Sequence, residues 1–554
     1  MKKLLLSVIT AAVLLSTGTS CKKYLNINTD EDTPQNPSVS SVFPAMLAGI
    51  PRGIQYDARY VGKYIQNWLA PANANADTWD RHGYAAGSDA AGDIWRQNYY
   101  GLGKNLDYII EQALRNKQYD YAGAAYTLKA MMFQFTTDYH GEIIFSEAFK
   151  ENTYYFKYDT QDKVYAGIDS LCRIAIGYFD QANSTAGFVN TLKLSDYSLS
   201  GDLVKWKKLA YGVLARNWSH LSNKSTYNAD SVIKYCDNSL SAITDDFVIP
   251  FDATKNDDAN FFGTYRDNVG SFRQSQFIVS LLDGTTLAGS NIFSNRDPRI
   301  SHMLGCSADT TNGNGGYRGV LPGLGDPNST ATSGVNFRRR VPVPFGDSIV
   351  ANPAAAQFIP GLGKYLFKDK APMPVMTYAE ILFIKAEAQF RKGDKAGALA
   401  TYTSAINAHF DFINRTTWPR SGSTIFNTTA ITAAARNAYL AGPNVKTTAA
   451  ALTLTDIMLQ KYIALWGWGW VETWVDLRRY HYTDLDPATG QQVYRNFQLP
   501  PAAGSSFFAD NLNKPAYRVR PRFNSEYVWN LDQLKLFGGD KADFHTYECW
   551  FSKP

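Results

Sequence analysis

The chain has 554 residues, 19% charged and 45% hydrophobic, and its 55 basic against 50 acidic side chains leave a formal charge of +5. That composition excludes a disordered chain, and so mild a charge balance gives no electrostatic case for nucleic acid. Aromatic residues reach 14%, with 34 Tyr. This exceeds what core packing needs and hints at a recognition surface.

Lys2 and Lys3 precede a short, largely apolar run from Leu4 to Leu15, then the small residues Gly18-Thr19-Ser20, then Cys21. This pattern predicts a signal peptide over residues 1–20, because the run falls well short of the roughly 20 residues a spanning helix needs. A cysteine directly after the small-residue site predicts lipid attachment at Cys21, the first residue of the mature chain. Losing Lys2 and Lys3 brings the charge to +3. The longest later apolar run, Tyr462 to Val471, stops at Glu472, so the lipid alone is expected to touch the membrane.

Residues 21–44, with Pro34, Pro37 and Pro44 among polar residues, read as a lipidated tether. The remainder, 45–554, reads as a single domain: helical at 45–243, loop-rich at 244–376, a helical repeat at 377–480 and an irregular end at 481–554. Helical stripes run through Tyr121, Ala124, Leu128, Met131, Phe135 and Tyr139, then Val164, Ile168, Cys172, Ala175 and Phe179. A third, Trp206, Leu209, Val213 and Leu221, is interrupted at Asn217. In the loop-rich part the period vanishes among Gly, Asn, Asp and Pro, and so long an irregular segment implies a task. Leu382, Ala386, Gly393, Ala398, Tyr402 and Ala405 then fall where a tetratricopeptide helix pair needs its small, turn and aromatic residues. One such unit cannot bury its own face, so the earlier stripes are its expected partners. Trp466, Trp468, Trp470 and Trp474 lie in a last helical segment and read as core.

No G-x-S-x-G or H-E-x-x-H occurs, the seven histidines are scattered, and Cys172, Cys236, Cys306 and Cys549 have no metal or redox spacing. Neither a metal, a cofactor nor a disulfide framework is expected. Gly101-Leu102-Gly103-Lys104 and Gly361-Leu362-Gly363-Lys364 are incomplete phosphate-loop fragments and read as turns. Glu472 and Asp476, one helical turn apart and followed by Arg478 and Arg479, read as interhelical ion pairs rather than a catalytic acid pair.

Loop aromatics beside planar polar groups carry the binding chemistry. A sugar ring presents C–H bonds on its face and hydroxyls on its rim, so Trp or Tyr stacks while Asn, Asp and Arg take the hydroxyls. Asn75, Asp77, Trp79, Arg81 and Tyr84 form one candidate set, and Tyr265, Arg266 and Tyr317 a second. The alternative for Trp79 and Tyr84 is an anchor pinning their loop to the helices.

Cys21 to Asp30, Thr137 to Ala148, Lys157 to Tyr165, Gly201 to Ala210, Asp297-Pro298-Arg299-Ile300, the helix from Tyr378 to Phe390, Trp474 to Arg479, and Arg520-Pro521-Arg522-Phe523 occur in this order. In these the chain resembles the SusD/RagB family of nutrient-binding outer-membrane lipoproteins. The resemblance implies a mostly α fold, a tetratricopeptide-like helix-pair scaffold whose loop-rich insertion bears the ligand face. It further implies a non-catalytic protein, lipid-anchored in the outer membrane and facing the exterior. Its ligand would be an oligosaccharide, or in some members a peptide, passed to a SusC-like TonB-dependent transporter. The competing readings are a lipid-anchored glycoside hydrolase and an adaptor that binds only protein.

Overall fold

Phe43 decides where the fold begins. Its fully buried ring meets Tyr121 and Trp206 edge-on at 5.6 and 5.9 Å, drawing the segment around it into the core. The structure is a computed structural model describing residues 36–72, 77–290, 296–311, 315–345, 364–416 and 430–554. Helix α1 (Val39–Tyr64) starts at Ser38, whose hydroxyl accepts the Ser41 N–H at 3.2 Å. Residues 39–44 are therefore helix and not tether. Pro44 and Pro51 lie inside α1. Each interior proline costs about 3 kcal/mol, and the burial of Phe43, Met46, Leu47, Ile50 and Ile54 outweighs that local preference. Residues 1–35, with Cys21, lie outside the described residues.

Helix α2 (Asp93–Arg96) runs through a π-helical turn (Gln97–Leu102) directly into α3 (Gly103–Arg115). Gly101 to Lys104 is thus continuous helix, not a turn. A Cβ on Gly103 would lie 1.9 Å from the Phe149 ring, so the glycine serves a close approach. Next come α4 (Tyr119–His140), α5 (Gln161–Ser184), α6 (Leu203–Ser219) and α7 (Ala229–Asp237), each packed on its neighbour. Asn217, the polar break in the α6 stripe, is buried and donates from Nδ2 to the Tyr165 carbonyl at 3.1 Å, which satisfies the amide nitrogen.

The 244–376 segment is mostly irregular, yet it carries β2 (Phe247–Ile249), β3 (Arg273–Gln274), α8 (Gln276–Leu282) and β4 (Met373–Met376). β3 pairs antiparallel with β1 (Trp68–Leu69), Trp68 opposite Gln274, and β2 pairs antiparallel with β4, Phe247 opposite Met376. The first ladder ties the insertion to the end of α1. Helix α9 (Tyr378–Lys392) ends at Gly393, whose φ of 92° turns the chain into α10 (Lys395–Thr416), the expected helix pair. Helices α11 (Leu454–Leu465) and α12 (Trp470–Arg479) complete the body. Trp466, Trp468, Trp470 and Trp474 are core, and Trp470 donates from Nε1 to the Ile54 carbonyl at 3.0 Å, stapling α12 to α1. Cys172, Cys236 and Cys549 are buried thiols outside any disulfide.

Glu472 and Asp476 are not an acid pair. Lys461 bonds both, at 2.9 and 2.8 Å, Arg479 joins Asp476 to Glu387, and His220 bonds Glu472 at 2.8 Å, all within the core. Burial disfavours a charged His220, but Asp138 and Glu472 outweigh it and hold the imidazole up to about 9. A raised folded value means that this stabilisation is complete below the unfolded value of about 6.5 and is lost as pH rises through 9. Exchange of His220 for Gln is expected to cost up to about 3 kcal/mol at pH 6, with the gap from the native chain shrinking as pH rises from about 6.5 to about 9 in urea melts. A gap independent of pH contradicts a charged His220.

Candidate functional site

The second half of α1 sets Arg52, Gln55, Tyr56, Arg59, Tyr60 and Lys63 at three- and four-residue intervals, so they share one helix face. Lys63 reaches Asp77 at 2.5 Å and lies 4.8 Å from the Phe272 ring centre. Asp77 in turn accepts the N–H groups of Trp79 and Asp80 at 2.9 and 3.0 Å, which shapes the start of its loop. Burial pushes the Asp80 carboxyl up to about 7 against the pull of Lys63.

Trp79 is 7% exposed, its indole enclosed by Tyr60, Tyr64 and Tyr84 at 5.0, 5.6 and 5.8 Å, and Tyr84 is 6% exposed with its hydroxyl on the Ser88 carbonyl. Arg81 donates to the carbonyls of Ser506 and Phe507 at 2.9 and 2.8 Å. Both rings adopt the anchor alternative, because an enclosed ring has no face left for a sugar. Asp77, Trp79, Arg81 and Tyr84 thus pin the loop between α1 and the C-terminal part. Asn75 lies outside the described residues.

The second candidate set meets a cleft. Tyr265 is 56% exposed, its N–H held by Asp369 at 2.7 Å, and Arg266 beside it lines a cavity of about 1020 Å³. Arg52, Gln55 and Tyr56 of α1 form one wall, Asp93 and Arg96 of α2 an end, and Phe251, Asp252, Asp257, Asp258 and Phe261 of the insertion the other wall. Rings and guanidinium groups alternate across it. The Arg59 guanidinium lies 3.9 Å over Tyr56, Tyr56 meets Phe261 at 5.9 Å, and Arg266 lies 5.1 Å over Phe261. Among the described residues Arg52, Arg96 and Arg266 have no carboxylate within ion-pair reach. Burial and then Arg52 lower the Arg266 value, while burial raises Asp93 against the pull of Arg96 and Arg52. Asp57, inside α1, accepts the N–H groups of Asp93 and Ile94 at 3.2 and 2.8 Å, which fixes α2 and hence Arg96 against the cleft.

Tyr317 lies elsewhere in the insertion, with Arg296 5.7 Å over its ring. Sequence reasoning missed Arg52, Tyr56 and Phe261. Their signal was present for the first two, a polar and aromatic stripe on the helix face opposite Phe43, Leu47 and Ile54.

A helical-repeat body with an open cleft lined by rings and guanidinium groups is the architecture of a ligand-binding scaffold. Residues 33–501 match a family model described as SusD-like, starch-binding and associating with the outer membrane, and the chain belongs to that family. Its fold is that of solved SusD homologues. A structure titled a chitin-binding protein matches with a TM-score of 0.68 at 18% identity over 93% of this chain and 100% of its own. A chitin-binding SusD homologue from Flavobacterium johnsoniae gives 0.63 at 18% identity, over 93% and 98%. A SusD/RagB family protein from Bacteroides thetaiotaomicron gives 0.63 at 20% identity, over 93% and 99%. No curated protein matches the sequence significantly. Among the described residues no helix is long and apolar enough to cross a membrane, and no cluster of side chains is arranged to hold a metal.

Proposed function

We propose that the protein captures an oligosaccharide at the cell surface in the cleft between α1, α2 and the insertion, and hands it to a partner SusC-like TonB-dependent transporter. One observation carries this reading. Tyr56, Phe261, Arg266, Gln55 and the aspartates of the 252–258 loop meet in a single solvent-open space, pairing ring faces with planar polar groups as a sugar requires. Tyr265, next to Arg266 in the chain, is exposed. Trp79 acts one layer behind, through Tyr60, as a positioning ring. Cys21 supplies the lipid anchor, holding the body at the outer membrane with its cleft to the exterior, and blocking signal-peptide processing with globomycin tests that step.

A panel of oligosaccharides and peptides, headed by chito-oligosaccharides because two similar folds carry chitin-binding titles, identifies the ligand. Tyr56→Ala is expected to weaken that ligand by about 1–3 kcal/mol, the worth of stacking on one ring. Calorimetry reads the change, and unaltered affinity in both Tyr56→Ala and Arg266→Ala removes the cleft as the site. New reducing ends on incubation would indicate the hydrolase instead, and binding of peptides alone the peptide-capturing reading.

A further inference from the structure

A second cavity of about 550 Å³ adjoins the cleft, and Arg96 lines both. Its walls are rings: Trp95, Tyr99, Tyr100, Phe149 and Phe156, with Ile144 and Ala148 between them. The two π-helical turns among the described residues, Gln97–Leu102 and Phe523–Tyr527, both line it, the first through Tyr99 and Tyr100, the second through Ser525 and Glu526. Such turns insert one extra residue into a helix and concentrate at functional sites. Phe149 sits at φ 64°, the left-handed region that a bulky side chain avoids, and Gly103 clears the space its ring fills. Three local departures from regular backbone thus converge on one small space.

We propose that this cavity receives an aryl group carried as a substituent on the saccharide held in the cleft. The assignment rests on the oligosaccharide reading above. Several observations select a flat ring as the occupant. The volume suits a small-molecule group and is too small for a folded partner segment. Aromatic walls reward a planar guest by offset and edge-on contacts. Tyr100 is 80% exposed and forms a lip at the mouth, with the Arg96 guanidinium 5.7 Å from its ring centre. At the inner end the Glu526 Oε2 accepts from the Tyr158 hydroxyl at 2.7 Å and from Asn530 Nδ2 at 3.1 Å, and burial raises its carboxyl against those bonds. Lys104 and Arg522 at the rim are engaged by Glu151 and Asp89, and the Arg96 guanidinium faces the Tyr100 ring at the mouth. Because Arg96 lines both spaces, one ligand can place a sugar in the cleft and a ring here.

Two titrations of the full-length protein test this. Methyl ferulate is expected to bind saturably and to quench Trp95 fluorescence, with affinity falling at least tenfold in Ala148→Trp, which fills the cavity, and several-fold in Tyr100→Ala. The exposed Tyr100 side chain can be truncated without unfolding the protein, so it decides the matter if Ala148→Trp does not fold. Phenyl β-chitobioside is expected to bind about tenfold tighter than methyl β-chitobioside, with the preference gone in Ala148→Trp. No saturable methyl ferulate binding, or binding indifferent to both substitutions, overturns the aryl pocket. Methyl ferulate binding without a phenyl preference, or with neither chitobioside bound, overturns the link to the saccharide. Loss of chitobioside binding in Tyr56→Ala with methyl ferulate binding intact marks a defect of the cleft alone and supports the two-part site.

Discussion

Lys461→Ala is expected to destabilise the protein by about 3–5 kcal/mol, the usual consequence of removing one partner from a buried ion network. Lys461 is the shared cation of Glu472 and Asp476, and none of the three is more than 4% exposed. Without it, Glu472 keeps only His220 and Asp476 only Arg479, and each carboxylate retains a desolvation cost that its attraction no longer offsets. Urea unfolding at pH 7 measures the loss. The gap from the native chain should narrow as pH falls, because protonating the stranded carboxylates removes their charge. A loss below about 1 kcal/mol would show that the network is solvated and that the α9, α11 and α12 bundle is not closed around it.

Trp206→Ala is expected to cost a similar amount, about 3–5 kcal/mol. The indole is fully buried between Phe43 and Phe247, and Nε1 donates to Asp196 at 2.7 Å. Truncation opens a cavity and removes one donor from a carboxylate that also caps the N–H groups of Ser198, Leu199 and Gly201. The substitution also releases Phe43, so the first turns of α1 should exchange amide hydrogens faster than the rest of the helix. A stability loss confined to α6, with residues 39–47 still protected, would show that α1 holds its own start.

The helical body was legible because amphipathic periodicity is a local signal. The stripe from Tyr121 to Tyr139 and the run from Leu382 to Ala405 needed only their own spacing to be read, and both became packed helices. Proline misled at 39–44. Its local rule favours extended chain, whereas Phe43 is held by Tyr121 and Trp206, rings that no local pattern brings near. Trp79 and Tyr84 were equally ambiguous as residue types. Trp79 is enclosed by Tyr60 and Tyr64, and Tyr84 packs on Trp79 and His545, which only the packing of the loop on α1 and the C-terminal part decides.

The same division applies to the site. Tyr265 and Arg266 stood out as an aromatic beside a cation in an irregular segment, which is a property of composition. Arg266 meets Arg52 and Tyr56 from more than two hundred residues away and Arg96 from 170, and this follows from the β1 and β3 ladder and from Asp57 holding the start of α2. Sequence alone therefore determined the helical class and the family resemblance, with the leader and the lipid-bearing cysteine as expectations, because each is written in contiguous residues or short spacings. Tertiary structure decided which rings are anchors and which face solvent, since exposure depends on neighbours contributed from distant parts of the chain.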